Sequence, residues 1–106
     1  VRKKEGLAVM TSMEKKLTEN RLTEVKAALS AKYRTVDLGG EKFFVATDGA
    51  FFRVGVFPGA MALVIEYADT EQEARQNALE DGDRFYLDET TLDEMLRLMI
   101  AEIERC

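Results

Sequence analysis

Residues 33–67 read YRTVDLGGEKFFVATDGAFFRVGVFPGAMALVIEY, and the punctuation of this stretch decides the fold. Leu38-Gly39-Gly40-Glu41 is a hairpin turn, because two glycines allow the positive φ angles that primed turns require. Asp48-Gly49 is a second two-residue hairpin signal. Phe57-Pro58-Gly59-Ala60 fits a type II turn, with proline fixing φ at the second position and glycine taking positive φ at the third. Three tight turns separate four β-rich runs, Tyr33–Leu38, Lys42–Thr47, Phe51–Phe57 and Met61–Tyr67. Tight turns join only antiparallel neighbours, so the expected result is a four-stranded antiparallel meander. Phe52, Val54 and Val56 share one face of the third run, and Met61, Leu63, Ile65 and Tyr67 share one face of the fourth. Both faces of the second and third runs are apolar enough for a helix or partner to cover part of the second face.

Helices are expected on either side of the meander. Thr11 and Glu14 have the spacing of a capping box, and Met13, Leu17, Val25 and Leu29 recur at near-helical intervals, which predicts a helix within 11–31. The face is imperfect over 18–21, so a break there with a restart near Thr23 is the alternative. Thr70 and Glu73 open a short helix to about Leu79, which Glu80-Asp81-Gly82-Asp83 ends, with Gly82 in the left-handed position. Arg84-Phe85-Tyr86-Leu87 follows as an extended bridge. Thr91 and Glu94 cap the last helix, where Leu92, Met95, Leu96, Met99, Ile100 and Ile103 form the strongest helical stripe in the chain. That stripe reads first as core-facing and second as a dimer or partner groove. The fold class is therefore α+β, with an N-terminal helix, a four-stranded antiparallel meander and two C-terminal helices packed on the sheet.

A chain of 106 residues is one domain, read as residues 11–106, with a core thin but sufficient without metal or disulfide staples. Residues 1–10 are expected to be a flexible segment, either non-native or an upstream extension, since Met10 and Met13 each offer a natural start. The apolar run Leu7–Met10 is four residues long, against roughly 7–15 for a secretory signal. No run approaches the ~20 apolar residues of a membrane span. The single cysteine, Cys106, has no partner within the chain and fits a reducing compartment. A cytoplasmic protein is the expectation.

Charge is distributed unevenly. Residues 66–106 hold thirteen acids and four bases, whereas residues 1–34 hold nine bases and four acids, within a whole-chain net of −5. Histidine is absent, which removes the usual base of nucleophile triads, and one terminal cysteine cannot build a zinc site. Gly39-Gly40-Glu41-Lys42 sits in a hairpin and lacks the helix start of a phosphate loop. Counted from Asp81, the fifth and sixth positions of a calcium loop fall on Phe85 and Tyr86 instead of an acid and a glycine. The expectation is a protein that is not an enzyme and carries no metal or cofactor. A small enzyme using paired carboxylates is the remaining catalytic alternative.

The acidic tract has two readings. One is a solvated face plus carboxylates at helix starts, a role that suits Glu71, Glu73, Asp93 and Glu94. The other is recognition of a basic partner by Glu80, Asp81, Asp83, Phe85, Tyr86, Asp88 and Glu89. These lie in and around a connector, where binding residues often sit, and the two aromatics amid charge resemble an interface anchor. Opposite charge also accelerates encounter with a cationic protein. Nucleic acid is disfavoured as a partner, because phosphates need bases.

At Val64-Ile65-Glu66-Tyr67-Ala68, at Glu73-Ala74, and along Glu80-Asp81-Gly82-Asp83-Arg84-Phe85-Tyr86-Leu87-Asp88, the chain resembles small bacterial proteins counted among the predicted immunity proteins of polymorphic toxin systems. The likeness covers about residues 32–104. It implies a small cytoplasmic α+β protein that binds a cognate toxin and blocks its active site or substrate groove. Since many such toxins are basic nucleases, it also implies an acidic face that mimics nucleic acid. The alternative partner is a second copy, through the last helix or an exposed sheet edge, giving a self-associating accessory domain.

Overall fold

The computed structural model describes residues 11–38 and 43–105. The expected turn over Gly39, Gly40 and Glu41, the expected flexible segment 1–10 and Cys106 lie outside them.

Helix α1 runs Ser12–Lys32. Its capping box forms in both directions: the Glu14 N–H donates to Thr11 Oγ1 at 3.1 Å, and the Thr11 N–H donates to Glu14 Oε1 at 2.9 Å. The helix continues through 18–21 without the alternative break. The Thr18 hydroxyl satisfies itself on the Glu14 carbonyl at 2.8 Å, which lets this polar side chain be buried mid-helix. Val25 and Leu29 are buried, whereas Met13 and Leu17 are 65% and 46% exposed.

The strands follow as β1 (Thr35–Asp37), β2 (Phe43–Ala46), β3 (Phe51–Val56) and β4 (Ala62–Ala68). Gly59 takes φ 80° and the Ala60 N–H reaches the Phe57 carbonyl, the type II turn that Pro58-Gly59 predicts. The turn at Asp48-Gly49 closes differently from a primed turn. The Thr47 N–H donates to the Ala50 carbonyl, the Ala50 N–H returns to Thr47 Oγ1 at 3.2 Å, and neither central residue has positive φ.

After β4 come a short helix α2 (Glu71–Arg75), a fifth strand β5 (Glu80–Tyr86) and helix α3 (Leu92–Arg105). The sheet is antiparallel in the order β1-β2-β3-β4-β5. Among the described residues, the expectation of four strands and two C-terminal helices is therefore corrected to five strands, with α2 inside the sheet's sequence and α3 alone after it. Residues 80–86, expected as a helix stop and bridge, pair with β4 instead. Leu63 and Ile65 in β4 are fully buried, and a buried strand must satisfy its backbone on both edges. That demand is tertiary and outweighs a composition poor in β-formers. Helix α2 stops early because Asn77 takes φ 60°, a left-handed stop at asparagine where Gly82 had been expected to serve.

The two faces of the sheet divide the helices. Phe52, Val54, Leu63, Ile65 and Phe85 pack against Val25 and Leu29 of α1 and Met95, Met99 and Ile103 of α3. The α3 stripe thus faces the core. On the opposite face, Phe44 and Ala68 pack with Leu38 and Ala74, so α2 covers one end of that face.

Candidate acidic binding face

Strand β5 is an edge of the sheet, and the turn after it leads into α3. Alternation distributes its side chains. Phe85 lies opposite Leu63 and is only 5% exposed, so the expected interface anchor is a core residue; the two-residue period of the strand turns it inward beneath α3. Tyr86 lies opposite Ala62 and is half-buried on the other face. Glu80, Asp81, Asp83, Asp88 and Glu89 are all exposed. At about 3.3 Å per residue the seven residues of β5 span roughly 20 Å, so these carboxylates run along one edge and around its turn.

Each acid has a distinct setting. Glu80 accepts a hydrogen bond from the Tyr67 hydroxyl at 3.2 Å across the β4–β5 pair. Asp81 lies opposite Glu66, whose carboxylate is held by Arg53 at 2.7 Å from β3. Arg53 also donates to Asn77 Oδ1 at 2.8 Å, so its guanidinium is committed within the fold. Arg84, the one base in β5, lies 4.2 Å from the centre of the Phe57 ring and is drawn across the sheet face away from the edge. Asp88 and Glu89 occupy the turn that the Glu89 N–H closes onto the Tyr86 carbonyl at 3.1 Å. Arg21 of α1 braces this turn by donating to the Thr90 carbonyl at 3.1 Å.

Pairing of Val64 with Arg84 and of Glu66 with Asp81 leaves Gly82 and Asp83 together opposite Ile65, a β-bulge. A side chain at Gly82 would collide with the Glu102 carboxylate of α3 and lie 2.9 Å from the Ile65 carbonyl, so only glycine fits. Glu102 itself is 7% exposed. Burial first, and then the neighbouring Asp83 carboxylate, push its carboxyl above the usual glutamate range.

Three features lay beyond the reading of the sequence. Leu17, Met61 and Leu87 line a groove of about 430 Å³ with Arg21, Glu24 and Asp88, beside the acidic turn. The exposed Leu17 in an imperfect helical face was its only signal. The Gly82–Glu102 contact is the second; Glu102 stands three residues after Met99, on the flank of the α3 stripe, where an acid is out of place. The third is Tyr33, whose hydroxyl donates to Glu104 Oε2 at 2.5 Å. Partial burial, this hydrogen bond and the Glu104 charge push its phenol up to about 12.

Among the described residues, no group of three or more acids or cysteines converges as a metal site, and no helix is long and apolar enough to cross a membrane. What the edge offers chemically is a row of carboxylates able to accept charge-assisted hydrogen bonds from cations. No protein-family model, curated protein or solved structure matches this chain.

Proposed function

We propose that the protein is a non-enzymatic binding protein of the immunity type, which neutralises a basic, nuclease-like toxin through the acidic edge of its sheet. The observation that carries this reading is the exposure of Glu80, Asp81, Asp83, Asp88 and Glu89 along β5 and its turn, with the intervening Arg84 drawn away onto Phe57. Phe85 gives up its role as anchor. Leu17, Met61 and Leu87, in the groove beside Asp88, supply the apolar contact in its place. The self-association alternative loses one of its two surfaces, because the α3 stripe is spent on the core.

The test is capture of a basic protein from the native cell's lysate by tagged protein at low and moderate salt. The expected result is one basic protein held in stoichiometric amount and shed as salt rises. Charge reversal at Asp81, Asp88 and Glu89 together leaves Asp83, whose charge acts on the buried Glu102, untouched. It should weaken binding by orders of magnitude with an unchanged circular dichroism spectrum. Undiminished affinity in that variant would sink the proposed face.

A further inference from the structure

The face of the sheet turned away from α1 and α3 carries a hollow at Gly55. On that face the register aligns two rows across β3, β4 and β5: Gly55, Val64 and Arg84 in one, and Arg53, Glu66 and Asp81 in the next. Arg84 leaves its row to lie 4.2 Å from the centre of the Phe57 ring. What remains is a cavity of about 410 Å³, floored by Gly55 and Val64 and walled by Phe57, Arg53, Glu66 and Asp81. Glycine inside a strand costs stability, and it marks a bulge, a close neighbour within the chain, a positive φ or the approach of a ligand. Gly82 has the bulge and the close neighbour, Ile65. Gly55 has neither. It pairs in register with Val64, its φ is not positive, and nothing lies within 4 Å of where its side chain would begin. Among the described residues, nothing therefore requires glycine here, and the missing side chain opens the hollow.

The chemistry around the hollow selects a planar cation. Among the described residues lining it stand two acids and one base, and that base, Arg53, is committed to Glu66 and Asn77. Both Arg53 bonds to Glu66, at 3.0 and 2.7 Å, land on the same oxygen, Oε1. Oε2 keeps its capacity to accept. Asp81 is paired directly opposite Glu66, where side chains on neighbouring strands come within reach of one another. A guanidinium carries donors along two edges of a plane and so reaches two adjacent carboxylates together, whereas an ammonium is a compact point charge. The apolar stem of an arginine covers surface such as Val64 and Gly55 while its head stays among charges.

We propose that this hollow receives an arginine side chain of a partner protein, with its stem on Gly55 and Val64 and its guanidinium between Glu66 and Asp81. The source of that arginine, a basic protein, rests on the acidic-face reading above. The hollow extends that face from the edge of β5 onto the sheet.

The hollow is tested on the full chain without any partner, by titrating it with N-acetyl-arginine amide and following the backbone amides by NMR. Saturable shifts centred on Gly55, Val64 and Asp81 are expected. N-acetyl-norleucine amide, which has the stem without the charge, should shift these amides far less. Asp81→Asn should weaken arginine binding about tenfold, the loss of one charge-assisted hydrogen bond. Gly55→Leu fills the hollow and leaves every charge in place, so it should abolish the shifts. Undiminished binding in Gly55→Leu, equal shifts from the norleucine derivative, or a wild-type titration without saturable shifts at Gly55 would each overturn the proposal. Should Gly55→Leu fail to fold, the wild-type titrations with the two derivatives decide by themselves. A basic protein captured by a chain whose Gly55 does not respond to arginine would remove the hollow and leave the acidic edge standing. Arginine bound at Gly55 with no basic protein captured would do the reverse, so the two readings fail separately.

Discussion

Gly82→Ala should destabilise the protein while Gly55→Ala, in the same sheet, should not. At Gly82 the added methyl would lie 2.9 Å from Ile65 Cγ2 and 2.9 Å from the Ile65 carbonyl, besides colliding with the Glu102 carboxylate. The carboxylate, at the far end of a flexible side chain, can swing away. The Ile65 carbonyl cannot, because Ile65 is fully buried at the centre of β4. Overpacking of a fixed core position costs about 1–3 kcal/mol. In a domain of this size each kcal/mol moves the unfolding midpoint by roughly 4–8 °C, so a fall of about 10 °C is expected. At Gly55 nothing lies within 4 Å of the added methyl, and its φ is not positive. There alanine chiefly restricts the unfolded chain, a gain of about 0.4–1 kcal/mol. Differential scanning calorimetry of both variants gives the comparison. A Gly82→Ala midpoint within about 2 °C of wild type, well below the least shift that 1 kcal/mol produces, would refute the packing argument. So would an equal loss in Gly55→Ala, since it would mean that any side chain is rejected by these strands.

Two further outcomes follow from the same geometry. Phe85→Ala should cost about 3–5 kcal/mol in urea unfolding, the range for removing a buried phenylalanine; a fold of undiminished stability would return Phe85 to the surface. Tyr33, with its phenol raised to about 12, contributes stability that is present below the unfolded value of about 10 and is lost as pH rises toward about 12. Absorbance at the tyrosinate band should show a late ionisation step that Tyr33→Phe removes, and its absence in the wild type would deny the bond to Glu104.

Local chemistry made much of this fold legible. The Pro58-Gly59 turn, the Thr11–Glu14 box and the α3 stripe each depend on residues within a few positions of one another, and each formed where its spacing required. Strand β5 was illegible because its reasons are distant. Acids and a glycine make poor strand-formers, and Phe85 alone in β5 is buried in the core. What makes Glu80–Tyr86 a strand is the open edge of β4. The candidate site was half legible for the same reason. Exposed acids announced themselves by clustering, but the direction of Phe85 depends on a strand that composition conceals. Glu102 is visible only once the bulge brings Gly82 beneath α3.

The strand order has a kinetic consequence. Among the described residues, every strand of the sheet after the first pairs with its predecessor in the chain, with no crossover. Hairpins close in microseconds and each adds to the one before, so the sheet grows by local steps whose loop-closure entropy is small. Among the described residues, the longest closures are those that join α1 and its C-terminal cap to α3 and the turn before it, as Tyr33 to Glu104 and Arg21 to Thr90 do. Docking α3 against α1 is thus the topologically slow event, and contact-order reasoning makes it the step that completes the core. Until it occurs, the apolar face of a nearly finished sheet stays uncovered, and the speed of that last docking sets how long the chain is exposed to aggregation.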